Sequence, residues 1–208
     1  MGVVLSVNVG PAAEFRAGRA RTSAIVKHPV TGRVAARGIN LDGDDQADRR
    51  VHGGPDQAVY AYARESYDWW EAELGRSFSD GFFGENLTLR GIDVDGSLIG
   101  DTWSIGTTIL QVTSPRVPCL KLQTRVGEPK FVKRFGAAGR PGAYLRIVQE
   151  GELSAGDAVE IVHRPTHGVT LARMNQILLY ERDQRAELLA AGEDMHVEAR
   201  EWALEAAQ

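Results

Sequence analysis

A chain of 208 residues, 43% hydrophobic and 25% charged, is long enough to bury one sizeable core with a small unit appended. Its 24 Lys and Arg against 28 Asp and Glu leave a net charge of −4, which argues against gripping a long nucleic acid. No apolar run has the length that spans a bilayer, and the single cysteine, Cys119, forbids an intrachain disulfide and fits a reducing cytoplasm.

Gly2–Val9 opens the chain as a predicted strand; it lacks the basic leader and extended apolar core of a signal peptide. Further strands are predicted at Thr22–Lys27, Ala58–Ala63, Asn86–Arg90, Asp101–Ile105, Thr107–Thr113, Gly142–Gln149 and Ala158–His163. Val, Ile, Tyr and Thr are frequent in them and glycine turns separate them. Closely spaced strands of this kind point to a barrel or a folded sheet. Three helical stretches interrupt the pattern. Arg64–Leu74 places Tyr67, Trp70 and Leu74 at helical spacing, a stripe that reads as core packing; Cys119–Arg125 and Glu128–Phe135 follow later.

After Arg164-Pro165 the character changes. Leu171, Met174, Ile177 and Leu178 form one helical stripe, Gln184–Ala191 a second helix ended by Gly192, and Val197–Ala207 a third. Residues 1–163 are thus expected to form a β domain and 165–208 a small all-α unit. That unit is acidic, and the rest of the chain is balanced in charge.

Chemistry concentrates around the cysteine, in Ser114-Pro115-Arg116-Val117-Pro118-Cys119-Leu120-Lys121-Leu122. Pro118 suits the first turn of a helix, which would set Cys119 among free N–H groups and beside cations, surroundings that favour a thiolate. A buried structural thiol fits the same residues. Between Pro115 and Arg140 stand seven cations, Arg116, Lys121, Arg125, Lys130, Lys133, Arg134 and Arg140, against one acid, Glu128. The stretch reads as a site for an anionic ligand such as a phosphate, or as a solvated face.

Two further clusters join polar residues to glycines. In Val51-His52-Gly53-Gly54-Pro55-Asp56 the glycines let backbone N–H groups approach a ligand beside the imidazole, or simply make a tight turn. In Phe83-Gly84-Glu85-Asn86-Leu87 the carboxylate and amide suit the edge of a heterocycle, or an ordinary loop. Ile99-Gly100-Asp101 and Ala155-Gly156-Asp157 read as turn chemistry.

In this order, Gln46-Ala47-Asp48, then Val51-His52-Gly53-Gly54-Pro55-Asp56, Gly84-Glu85-Asn86-Leu87, Gly100-Asp101 and Pro115-Arg116-Val117-Pro118-Cys119-Leu120-Lys121-Leu122, the chain resembles the MOSC family, named for the C-terminal domain of molybdenum cofactor sulfurases. The resemblance covers most of residues 1–163, and the three-helix tail is similar to the extension of the YiiM-like bacterial branch. It implies a β-barrel related to the one inserted in pyruvate kinase, holding the molybdenum cofactor, a pterin dithiolene with a phosphate. By position, Cys119 would ligate the molybdenum. Arg116 and Lys121 would meet the anionic groups, and His52, Asp56, Glu85 and Asn86 would form the pocket wall, with His52 and Glu85 the candidates for catalysis beside Cys119. Soft sulfur suits such a metal, and the cations suit a phosphate.

The activity implied is that of a cytoplasmic oxidoreductase reducing N-hydroxylated compounds, of the hydroxylaminopurine type. No cysteine set for iron–sulfur and no G-x-G-x-x-G loop is present in the sequence, so a separate flavin-type reductase is expected to supply electrons. A sulfur carrier holding a persulfide on Cys119 is the alternative, as is a module that binds or delivers the cofactor without turnover. The acidic tail is available to cover the pocket, pair subunits into a homodimer or dock the donor. An oligomer or partner contact is the favoured reading.

Overall fold

The computed structural model describes residues 1–47 and 53–206. The N-terminal part comprises β1 (Gly2–Val9), β2 (Ala13–Ala17), β3 (Ala20–Ser23), β4 (His28–Val30), β5 (Val34–Arg37) and β6 (Asn40–Leu41). A β-α-β unit follows, made of β7 (Val59–Ala63), α1 (Arg64–Leu74) and β8 (Leu87–Arg90). Next come β9 (Thr102–Ile105), β10 (Thr108–Pro115), α2 (Leu120–Val126), α3 (Phe131–Ala137), β11 (Ala143–Gln149), β12 (Gly151–Leu153) and β13 (Ala158–His163). The chain ends in α4 (Leu171–Leu179), a 3-10 run at Arg182–Asp194 that is non-helical at Gly192, and α5 (Val197–Leu204).

Seven strands close into a barrel in the order β13-β9-β10-β11-β7-β8-β1, with β1 returning to β13 through Gly2↔Val159 and Val3↔Ala158. Neighbours run antiparallel except β7 and β8, which run parallel with α1 in their connection. The barrel expected from the sequence is therefore present. Seven of the eight predicted strands lie within two residues of their observed ends, and two of these, Gly2–Val9 and Ala158–His163, coincide with theirs.

Alternation along the strands builds two cores. In β7, Val59, Ala61 and Ala63 belong to the barrel interior, whereas Tyr60 and Tyr62 join an aromatic cluster on the outside. All five residues are buried. The outer cluster brings Trp70 from α1 against Phe135 from α3, rings 5.9 Å apart and nearly parallel, which confirms core packing for the α1 stripe. Tyr67 and Trp70 are fully buried. Leu171, Met174 and Ile177 of α4, with Leu188, Met195 and Ala203, belong to the same apolar cluster as the barrel interior.

Several predicted boundaries shift: the helix expected over Glu128–Phe135 runs from Phe131 to Ala137, and the one expected over Gln184–Ala191 is the 3-10 run Arg182–Asp194. The strand expected over Thr22–Lys27 ends at Ser23, and Ala24–Lys27 leaves the sheet as irregular backbone. Cys119 is the extended N-cap of α2, so Pro118 stands outside the helix rather than in its first turn. The third predicted helix of the tail ends at Leu204 instead of Ala207.

Candidate active site

A cleft of roughly 710 Å³ of open space lies where the loop after β3, the Asp44–Ala47 loop, β7, the Gly84–Asn86 turn and the Arg116–Lys121 segment converge. Cys119 stands in its wall, half-buried. Of the residues singled out from the sequence, the fold brings Arg116, Lys121, Asn86 and Cys119 to this one cleft.

Arg116 is 6% exposed. Its guanidinium donates to the Phe83 carbonyl and lies 4.9 Å from the centre of the Tyr60 ring, so the buried cation is held by a carbonyl and an aromatic face rather than by an acid. Tyr60 in turn donates its hydroxyl to the Pro141 carbonyl at 2.8 Å and packs on Tyr144 with ring centres 5.0 Å apart. Burial pushes both phenols above their ordinary range, which keeps them neutral donors beside the cation.

Asn86 fixes the floor through a nearly saturated set of bonds. Its Oδ1 accepts from the Tyr60 backbone N–H at 3.0 Å, and its Nδ2 donates to Asp44 Oδ2 at 2.8 Å and the Asn8 carbonyl at 3.3 Å. Its main chain bonds to both flanking strands, from Asn8 N–H at 2.7 Å and to the Tyr60 carbonyl at 2.7 Å. Asn86 therefore ties the ends of β1 and β7 to the Asp44 loop.

The cleft also contains an ion pair that sequence reasoning did not identify. Lys27 pairs with Asp44, and both side chains are almost wholly buried, 7% and 3% exposed. Asp44 Oδ1 also accepts from the Gly10 N–H at 2.9 Å. Desolvation pulls the Lys27 ammonium below the usual lysine range, against the opposing pull of Asp44. The available signal was a lysine closing the apolar run Ala24-Ile25-Val26, a position that a strand reading assigns to an edge.

Two expected wall residues lie elsewhere. Glu85 is wholly buried outside the cleft lining, and its Oε1 accepts from the Tyr67 hydroxyl at 2.6 Å, Thr88 Oγ1 at 2.7 Å and the Gly81 N–H at 2.8 Å. Desolvation raises its carboxyl above the usual range while these donors pull it down. The side chain faces into the protein because the Phe82–Asn86 turn directs consecutive residues to opposite sides, and Asn86 takes the cleft side. Asp56 also misses the lining: it pairs with Arg146 at 3.0 Å and accepts from the Val197 N–H at 2.9 Å, binding the barrel to the tail.

The glycine pair after His52 is positioned differently from expectation. The Gly53 N–H donates to Gln57 Oε1 and the Gly54 N–H to Gln46 Oε1, each at 2.9 Å, so both N–H groups are engaged by the protein itself. Both glycines have positive φ, which only glycine adopts easily, and Gly53, Gln46 and Gln57 line the cleft. His52 lies outside the described residues.

With a cysteine in the wall of a cleft closed by a buried arginine, the family comparison becomes decisive. The model of the MOSC domain matches residues 48–160. The chain belongs to the MOSC family. It is 37% identical over 175 residues to the Bacillus subtilis protein YflK, covering 84% of this chain and 79% of that one. A protein of Gibberella moniliformis named a reductase is 33% identical over 168 residues, 79% of this chain but only 30% of the fungal protein. Among solved structures, YiiM from Geobacillus stearothermophilus superposes with a TM-score of 0.84 at 31% identity, covering the whole of both chains. No helix among the described residues is long and apolar enough to cross a membrane.

Proposed function

We propose that this MOSC protein binds the molybdenum cofactor in the cleft, with Cys119 as the thiolate ligand, and reduces N-hydroxylated compounds with electrons from a separate reductase. The observation that carries the reading is the position of Cys119 in one cleft wall with the buried Arg116 and the half-buried Lys121. Among the described residues no group of three His, Cys, Asp or Glu gathers to cage a metal. A centre that brings dithiolene ligands of its own and asks the protein for one thiolate matches that donor set. When bound, the cofactor would supply the two-electron chemistry that removes a hydroxyl as water.

The chain's own residues would do the rest. Arg116 and Lys121 would meet anionic oxygens, with Arg116 unable to lose its charge and fixed in place by Phe83 and Tyr60. Asn86 would hold the floor together with the buried Lys27–Asp44 pair to which it bonds. The fungal relative named a reductase supports an oxidoreductase, the chain matching 30% of that protein's length.

The test is molybdenum and pterin content per chain, for wild type and Cys119→Ala expressed in a cofactor-competent host. Near-stoichiometric metal in the wild type, lost in the variant, is expected. It should be accompanied by reduction of an N-hydroxylated purine with reduced methyl viologen. Absence of metal from both, with cyanide-releasable sulfur only in the wild type, would replace this reading with the sulfur carrier.

A further inference from the structure

Cys119 also borders a second opening, a shallow groove with Leu120, Val132 and Lys133 in its lining, so the sulfur's residue forms a partition between the cleft and an outer surface. Val117 and Leu120 flank the cysteine with 45% and 56% exposure, among the larger apolar exposures in the protein. Lys130 and Lys133 are exposed, and among the described residues neither makes an ion pair. Lys130 is the one described non-glycine residue at positive φ, at 59°, a left-handed conformation that lysine rarely adopts. Strained exposed residues of this kind cluster where a surface is used. The hairpin formed by β2 and β3 extends the patch: a Cβ on its Gly18 would lie 3.2 Å from Leu120, and it presents Arg19 and Arg21 to solvent.

We infer that this patch is the docking surface for an acidic, flavin-bearing electron-transfer protein. The inference rests on the reductase reading and names the partner's landing site. An apolar centre flanked by cations that make no ion pair among the described residues is the complement of an acidic redox face, and small interfaces steered by charge suit transient electron delivery. The centre of the patch also coincides with the residue proposed to bind the metal, which shortens the electron's path. Two one-electron deliveries from the reduced flavin, with two protons, balance conversion of an N-hydroxyl to an amine and water. The acidic tail, by contrast, would repel such a partner.

The experiment measures binding of a flavodoxin to the holoprotein by biolayer interferometry, at low and high salt, for wild type, Lys130→Glu/Lys133→Glu and Leu120→Ala. Arg33→Glu/Arg37→Glu serves as control, since those arginines pair with Glu152, Asp157 and Asp42 instead. The lysine pair reversed should weaken binding roughly tenfold or more, the Leu120 variant less, and the control little. Flavodoxin-driven turnover should fall in parallel while turnover with reduced methyl viologen holds.

Wild-type protein that does not bind flavodoxin, or a lysine variant that binds as well as wild type, would overturn the assignment. The two readings fail separately. Turnover with methyl viologen alongside unaffected flavodoxin binding in the variant rejects the docking site alone. Patch-dependent binding without any methyl viologen turnover rejects the reductase reading alone.

Discussion

Replacing Asp44 with asparagine attacks the cleft floor at its most exposed energetic point. The carboxylate accepts from three donors, the Gly10 N–H, Asn86 Nδ2 and the Lys27 ammonium. Asn keeps the shape, but its NH₂ must then face a donor, either Asn86 or the ammonium, and the buried cation loses its counter-charge. Breaking a buried pair from one side costs about 3–5 kcal/mol. At about 2–4 °C per kcal/mol for a chain of this size, Asp44→Asn should lower Tm by about 6–20 °C.

Thermal unfolding of Asp44→Asn, Lys27→Met and the double variant closes a mutant cycle. The double variant should be more stable than the sum of the singles by about 2–3 kcal/mol, because removing the cation removes the cost of stranding it. The pH dependence carries its own sign. Lys27 is depressed in the fold, so the unfolded chain binds more protons between the folded value and the ordinary lysine range. Its burial penalty is complete below the folded value and is relieved as pH rises toward the unfolded one. Wild-type stability measured against Lys27→Met should therefore climb with pH across that window. A loss under about 1 kcal/mol for Asp44→Asn, with additive singles, would refute a coupled buried pair.

Glu85 has the opposite sign: its carboxyl is raised by desolvation, so wild-type stability relative to Glu85→Gln should fall as pH rises from about 4.5 through the folded value. Denaturant titrations from pH 4 to 8 would show it, and parallel curves would count against burial as the cause. Glu85→Ala strands three buried donors and should cost about 3 kcal/mol or more. Arg146 holds Asp56 and donates to the carbonyls of Glu193, Asp194 and Met195. Arg146→Met should speed hydrogen exchange at the Val197 amide by roughly tenfold or more while barrel amides keep their protection. Equal protection in wild type and variant would show that the tail is held by its apolar contacts alone.

The barrel was legible because its strands advertise themselves. Leu87–Leu89 and Thr108–Pro115 are β-rich runs between glycine turns, and their burial follows from closure. β2, β4, β5, β6 and β12 carried weaker signals: β2 is mostly exposed, β4 contains Pro29, and the remaining three are short. In the site, Cys119 and its flanking cations were visible because proline, thiol and charge sit in one segment. Lys27 and Asp44 were not, since they lie 17 positions apart and meet only after the chain leaves the sheet at Ser23. Glu85 and Asn86 show the limit of reading adjacent residues together. Both chemistries are adjacent in sequence, but the turn presents them to different surroundings.

The parallel seam between β7 and β8 follows from arithmetic. A closed ring of strands can alternate direction all the way round only if their number is even, and this ring has seven. One neighbouring pair must share a direction, and such a pair cannot be joined by a hairpin. The chain has to leave the barrel, cross over and come back. Here the detour is α1 and the Phe78–Asn86 segment, which brings in Trp70, Phe83, Gly84 and Asn86. An eight-stranded relative alternating throughout would have no need of that excursion, and it would lose with it the carbonyl that steadies Arg116 and the amide that clamps Asp44. The odd strand count is thus what obliges this barrel to carry a wall for its cleft.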